Sequence, residues 1–458
     1  MRRVLAAQVP TRGGARVARR AACLFALGLA CGATARAATL EEAVQEALTT
    51  HPQIGGAEAE LRAAGHDLDQ AKAARLPSVD VDTRLGLEHI NIKQFSRFNP
   101  DDNYLRREAG VTVSQMLWDG LATSGEIERR VALLNSAEHS LEDTRNSIAF
   151  RAVQAYFDLM RTRELMALAR GNVESLERVL ANVEAKAASG VGNRADVAQA
   201  RARVALAHST VMVRDDALRE AEARYRRTVG EPPAEQARPN VTSPGLARDG
   251  EVDKSGLDSA TRAAEEQAAV VHPAVLRSSA DAAAALAALK AARAPYQPRL
   301  DLLGTLRRDA DLGGVQGTRN SDTLMLVARW NLFRGGADRA EELARAERRT
   351  AAELRLADTL RAIVENVDIA MESLATSEAR LAFLEQHVQS SRAALDAYRA
   401  QFEISRRTLL DLLNAEDELF SARSNQVAGT YEFLTNVYFV EASKGLLASE
   451  FDVGEVAP

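Results

Sequence analysis

Residues 79–92 read V-D-V-D-T-R-L-G-L-E-H-I-N-I. Val79, Val81, Thr83, Leu85 and Leu87 alternate with Asp80, Asp82, Arg84, Gly86 and Glu88. That alternation is the period of a strand with one apolar and one charged face. The chain around it is rich in Ala, Leu, Glu and Arg, which is helix composition. Such a strand needs partners for its backbone and a medium for its apolar side, and those two needs decide the fold.

The 458 residues suffice for two or three ordinary domains. Apolar residues make up 46%, charged residues 27% and aromatics 5%, a profile of long Ala-rich helices rather than a thick aromatic core. Net charge is −6 with both signs interspersed, which speaks against a nucleic-acid partner.

Residues 1–37 have the layout of a cleavable signal peptide. Arg2, Arg3, Arg12, Arg16, Arg19 and Arg20 precede the apolar run A-A-C-L-F-A-L-G-L-A-C-G-A, and Ala35-Arg36-Ala37 supplies the small-x-small cleavage pattern. Both cysteines, Cys23 and Cys31, lie in this segment, so the mature chain is expected to contain neither disulfide nor Cys-metal site. Lipidation of Cys31 is the alternative, although Gly28 stands where a lipobox wants Leu. No later stretch has 18 uncharged apolar residues, so any membrane passage must be made by a closed β-barrel.

The remainder is written twice. His51-Pro52 recurs as His272-Pro273, and the same offset of 221 maps A-K-A-A-R-L-P-S-V-D-V (71–81) onto A-R-A-P-Y-Q-P-R-L-D-L (292–302). L-W-D-G (117–120) maps onto L-F-R-G (332–335) with an offset of 215, which still holds at Asp196 and Asp411. The expected layout is a first repeat over 38–231, a proline-rich linker over 232–255, a second repeat over 256–450 and a tail over 451–458. Each repeat comprises a short helix, a β-hairpin (78–117 or 299–333) and two longer helices (120–188 and 194–229, or 337–403 and 407–447).

The long helices carry heptad rows. Ile127, Leu134, Leu141, Ile148, Ala155, Thr162, Ala169, Leu176 and Val183 recur every seven residues, beside Ala152, Leu159, Met166, Val173, Leu180 and Ala187. Adding 215 to the second row gives Val367, Leu374, Leu381, Val388, Leu395 and Phe402, again apolar throughout. Such rows predict supercoiled helices. On helices alone, an exported coiled-coil scaffold remains a rival.

Strands are expected at about 78–92, 107–117, 299–308 and 322–332, with F-S-R-F-N-P-D-D-N and D-L-G-G-V-Q-G-T-R-N as the polar loops between them. Four strands cannot close a membrane barrel, so several copies must pool theirs. Trp118, Trp330 and Phe333 stand at the strand-to-helix junctions, where an interfacial aromatic belt sits.

These features together resemble the TolC-type outer-membrane factors across essentially the whole mature chain. The resemblance rests on T-L-E-E-A-V-Q-E-A-L-T-T-H-P, on W-D-G and F-R-G-G, on A-S-G-V-G-N-R-A-D-V-A-Q-A-R, and above all on Q-F-E-I-S-R-R-T-L-L-D-L-L-N-A-E-D-E-L-F. It implies a mainly α fold with a small β part, assembled as a homotrimer. Twelve strands would form an outer-membrane barrel and twelve helices a periplasmic tunnel. The run R-R-T-L-L-D-L-L-N-A-E-D-E-L-F and A-R-Y-R-R-T-V-G-E-P-P are most similar to type I secretion members that export large adhesins or RTX proteins. The implied partners are outer-membrane lipid, a periplasmic adaptor and an inner-membrane ABC transporter, or an RND-type pump if the role is drug or metal efflux.

The long helices must reverse at S-G-V-G-N-R-A-D and at E-I-S-R-R-T-L-L-D. In the first turn, Gly190, Gly192 and Asn193 tolerate the backbone angles of a tight reversal. The resemblance implies that these turns form the narrow periplasmic tip, with Asp411 facing the lumen in a three-fold carboxylate ring. Arg407 would tie neighbouring helices through Asp196, and Phe402 stands where the family often has tyrosine. Asn414 replaces a second acid. Three converging carboxylates would favour cations and titrate together with raised apparent pKa values. A helix cap is the plainer role for Asp411.

No H-E-x-x-H, G-x-S-x-G or P-loop pattern occurs, and the seven histidines are scattered. No enzyme, metal or cofactor is expected.

Overall fold

A computed structural model of the chain describes residues 39–91, 101–233, 237–239, 245–248, 251–312 and 315–451. The expected signal peptide with Cys23 and Cys31 lies outside the described residues, as do most of the first strand loop and of the C-terminal tail.

Two helices of 67 residues dominate, α3 (Ala122–Ala188) and α7 (Ala337–Glu403). At 1.5 Å per residue each is about 100 Å long. Each turns back into a shorter antiparallel partner, α4 (Arg194–Thr228) and α8 (Leu409–Lys444). The heptad rows are the buried seams. Ile148, Ala155, Thr162, Ala169, Leu176 and Val183 are buried in α3, and Val367, Leu374 and Leu395 in α7.

The single short helix expected at the start of each repeat is in fact two, α1 (Leu40–Thr50) with α2 (Pro52–Ala73), and α5 (Lys254–Val271) with α6 (Pro273–Ala291). Proline breaks them because it lacks the N–H and disfavours a helical residue before it. His51 and His272 sit extended at the two breaks, and each Nδ1 accepts a hydrogen bond from the backbone two residues on, Gln53 N at 3.2 Å and Ala274 N at 3.1 Å. The His-Pro repeat is thus a repeated helix cap.

The membrane-candidate strands are β1 (Ser78–Asn91), β2 (Asp101–Trp118), β5 (Arg299–Leu312) and β6 (Val315–Arg329), antiparallel in the order β1-β2-β5-β6. Pairing of β2 with β5, with Val111 opposite Leu306, joins the two repeats into one sheet. Four strand boundaries depart from expectation. β2 begins at Asp101 rather than 107, β5 ends at Leu312 rather than 308, and β6 spans 315–329 rather than 322–332. Most of the second expected loop is also strand, since Arg308 pairs with Asn320 and Asp309 with Arg319. Backbone ladders do not require apolar side chains, so polar residues extend the hairpin beyond the apolar alternation. At the other end β6 stops at Arg329, opposite Arg299 where its partner β5 begins, and the turn before α7 puts Gly335 and Gly336 at φ +62° and +86°.

The proline-rich linker is a strap fastened to the helices. Tyr156 donates to Ala237 O, Arg163 to Pro233 O at 2.7 Å, and Arg238 to Glu164 at 2.6 Å while lying over the Tyr431 ring. The Glu378 carboxylate accepts from Gly245 N and Ala247 N, each at 3.0 Å. Beyond these lies a minimal hairpin of β3 (Ala247–Arg248) and β4 (Glu251–Val252). Beneath the strap is the larger core, with Tyr156, Phe157, Tyr431 and Leu434. A second core of Val173, Leu176, Leu395, Leu413 and Leu419 lies towards the helix turns. The chain closes with α9 (Leu447–Phe451), whose first N–H donates to buried Asn146 at 3.1 Å.

Asn146 also donates to Ala442 O at 2.8 Å. Asn146→Ala strands both backbone groups and should cost about 2–4 kcal/mol, read as a lower urea midpoint. His272 is buried, and burial pushes its pKa below 6.5, so the unfolded chain binds the proton that the folded cap refuses. Stability should therefore be full above pH 6.5 and fall as pH drops towards 5. His272→Asn keeps an acceptor without titrating and should flatten that dependence.

Candidate functional site at the strand face and helix turns

The sheet has its polarity reversed relative to a soluble protein. Leu85, Leu87 and Leu324 project from one face with 75%, 83% and 74% exposure, while Glu108, Asp309 and Asp301 on the other are at most 7% exposed. Register explains the sorting. Val79 pairs with Val113 and Val81 with Val111 on one face, and Arg84 pairs with Glu108 on the other. The charged face is internally compensated. Glu108 meets Arg106, Arg84 at 3.4 Å and Arg307 at 3.9 Å, and Arg106 also reaches Glu88 at 3.3 Å. Gly110 leaves room for the Asp82 carboxylate, whose Oδ1 would lie 2.7 Å from a Cβ there. At the helical end of the sheet Trp118, Trp330 and Phe333 are 39%, 58% and 82% exposed, forming an aromatic border. No described helix is long and apolar enough to cross a membrane.

The two helix turns differ in chemistry. In the first, Gly190 takes φ +80°. Gly192 serves close approach, since a Cβ would stand 2.6 Å from Ala187 N. Asn193 does not take a left-handed angle as expected; it caps α4 through Ala195 N at 3.0 Å. The second turn manages without glycine because Ser405 itself takes φ +57°.

Asp411 is the third residue of α8 and closes a capping box with Thr408. Its Oδ2 accepts from Thr408 Oγ1 at 2.9 Å, and its N–H donates back to Thr408 Oγ1 at 3.2 Å. The Thr408 hydrogen bonds, assisted by Arg407, hold its carboxyl below the usual range. Arg407 does not tie to Asp196 within the chain. It approaches Asp411 at 3.7 Å, donates to Gln401 at 3.0 Å and lies 4.5 Å over the Tyr398 ring. Arg407 stands in the turn just before the Thr408 cap, which brings it to Asp411 in the first turn of α8. Asp196 lies in the first turn of α4. Asn414 accepts from Arg203 of α4 at 3.3 Å, and Arg203 also pairs with Asp417 at 3.5 Å. Phe402 carries Lys186 of α3 4.2 Å over its ring, with Nζ 3.3 Å from Phe402 O.

Sequence reasoning passed over Lys186, Arg203, Ser175, Arg399 and Glu416. The last had a signal, because it interrupts the apolar stripe of Leu412, Leu413 and Leu419. Buried Glu416 accepts from Arg399 at 2.5 and 3.1 Å and from Ser175 at 3.2 Å, joining α8 to α7 and α3.

The family model described as outer membrane efflux protein matches residues 43–231 and 264–443. The outer membrane efflux protein BepC of Brucella suis is 22% identical over 431 residues, 94% of this chain and 90% of that protein. The alkaline protease secretion protein AprF of Pseudomonas aeruginosa is 26% identical over 432 residues, covering 89% and 86%. The Campylobacter jejuni CmeC outer membrane channel superposes with a TM-score of 0.77 at 16% identity, over 89% of this chain and 85% of that one. Two sequence repeats, an inside-out four-stranded sheet and paired long helices fit this match throughout, and the chain belongs to the outer membrane efflux protein family, as an outer-membrane channel of the TolC type.

Proposed function

We propose that this chain is one third of a passive exit duct of a type I secretion system, exporting a large adhesin- or RTX-type protein. The sheet carries this reading. Its apolar face is exposed, its other face is charged, and β1 and β6 each leave an edge unpaired among the described residues. In lipid an open edge is untenable, since every backbone group must be hydrogen-bonded. Three copies supply twelve strands, an even number within the range of closed outer-membrane barrels. Lipid then meets Leu85, Leu87 and Leu324, water meets the Arg84–Glu108 face, and the helices continue the bore through the periplasm to an adaptor and an ABC transporter. Energy comes from those partners.

Similarity to AprF, named for alkaline protease secretion, supports the secretion role. Similarity to BepC, named an efflux protein, supports a second reading, the outer-membrane part of a tripartite drug or metal efflux pump with an RND-type partner. Deletion of the gene separates them. Loss of one large secreted protein from the medium is expected, with drug tolerance unchanged; lost drug tolerance with an intact secretome would favour efflux. Purified material should migrate as a heat-modifiable trimer, and a monomer without conductance would overturn the duct.

At the tip, Asp411 forms the three-fold ring, flanked by Asn414, Phe402, Arg407 and Asp196. The Thr408 cap holds each carboxyl ionised, and repulsion between three copies opposes it. Asp411→Asn retains a cap acceptor and removes the charge. Cation preference in planar bilayers should drop several-fold while trimer stability changes little; unchanged selectivity removes the ring.

A further inference from the structure

The two helix hairpins of one chain, α3/α4 and α7/α8, meet along seams that repeat every seven residues. Apolar seams of that kind specify height poorly. Sliding one hairpin by a heptad puts apolar residues opposite apolar residues again. Something on the seam must break that degeneracy.

Three polar contacts cross between the hairpins towards the turns. Two are exposed or half-exposed. Arg203 meets Asp417 at 3.5 Å with side chains 30% and 60% exposed, and half-buried Lys186 lies over Phe402. The third is of another kind. Glu416 has a side chain only 6% exposed, and both its oxygens are used, Oε1 by Arg399 and Oε2 by Ser175. Arg399 Nη2 closes the triangle on Ser175 Oγ at 3.0 Å. Arg399 and Glu416 pair within the α7/α8 hairpin, and Ser175 Oγ of α3 ties that pair to the other hairpin, so sliding one hairpin along the other leaves Glu416 Oε2 without its donor. Glu416 is the buried member and Arg399 is 43% exposed, so loss of these partners strands the carboxylate, a cost that favours one arrangement more than it adds net stability.

We propose that the Arg399–Glu416–Ser175 knot is the register pin of the tip. It fixes the height and rotation of the α7/α8 hairpin against α3/α4, while Lys186–Phe402 and Arg203–Asn414/Asp417 are more exposed ties that do not bury a carboxylate. The proposal rests on the duct reading only for its consequence, a single defined bore.

The test uses spin labels on the full mature trimer at Ser189→Cys and Glu403→Cys, exposed positions beside the two turns. Pulsed-resonance distances between them are measured together with single-channel conductance. The double variant Arg399→Met/Glu416→Leu replaces the pair by apolar groups of similar length. It should remain a heat-resistant trimer, yet its distance distribution should broaden severalfold and its conductance split into more than one level. Ser175→Ala removes the hydroxyl that links the pair to α3 and should broaden the distances to a similar extent. Lys186→Ala removes a more exposed tie and should leave the distances at their wild-type width; broadening as great as in the double variant would overturn the pin. Wild-type distances in both the double variant and Ser175→Ala would overturn the pin. If the wild type conducts nothing, the duct reading fails, while the distance widths still decide the pin.

Discussion

Backbone hydrogen bonding in an apolar medium is the constraint from which the rest follows. A sheet with an apolar outer face can lie in lipid only if no N–H or C=O along its edges is left unpaired. Here β2 pairs with β5 inside the chain, but β1 and β6 end it. The edges are long, with 14 residues in β1 and 15 in β6. In water they would invite aggregation; in a closed ring of copies they become the joints of the barrel. The charged face then borders the barrel interior, with Glu108 buried among three arginines that compensate its lost solvation.

The helices answer a different constraint, that of length. Isolated helices of this size would have no reason to remain straight and paired. Heptad rows give each one a continuous seam, and the seams are buried where α3 packs on α8 and α7 on α8. Shorter helices broken at His51-Pro52 and His272-Pro273 thicken the upper part, and the strap binds α3, α7 and α8 at mid-height through Arg238 and Glu378. Towards the turns the section thins to two hairpins, with fewer aromatics and more exposed polar ties. Packing is thus graded along the rod, thickest where the core is aromatic and thinnest at the turns.

Duplication accounts for much of this economy, yet the two halves are not interchangeable. The first turn solves its reversal with Gly190 and Gly192, the second with a strained Ser405 and a full capping box at Thr408 and Asp411. Strain and a strong cap on the second hairpin single it out as the half with the more specialised tip. The same asymmetry puts Glu416 on α8, whereas the corresponding position of the first repeat carries Arg201, exposed and paired with Glu184.

Alternation at 79–92, the heptad rows and the His-Pro repeat were enough to establish strands, long helices and a doubled plan, because each is a local periodicity that the backbone must obey. The turn positions followed from the repeat. Strand ends did not, since ladder pairing of Asp309 with Arg319 owes nothing to hydrophobic pattern. Nor did the strap's anchorage, or the partners of Arg407, Asn414 and Phe402. Those depend on which side chains from distant segments arrive at one place. Asp411 was legible as an acid at a helix start, but its Thr408 box and its neighbour Arg407 needed the folded turn. The buried Glu416 marked its own importance by interrupting an apolar stripe. Only the packing of three helices disclosed Arg399 and Ser175 as its partners, because charge compensation in a seam is a property of the assembled helices and not of any one of them.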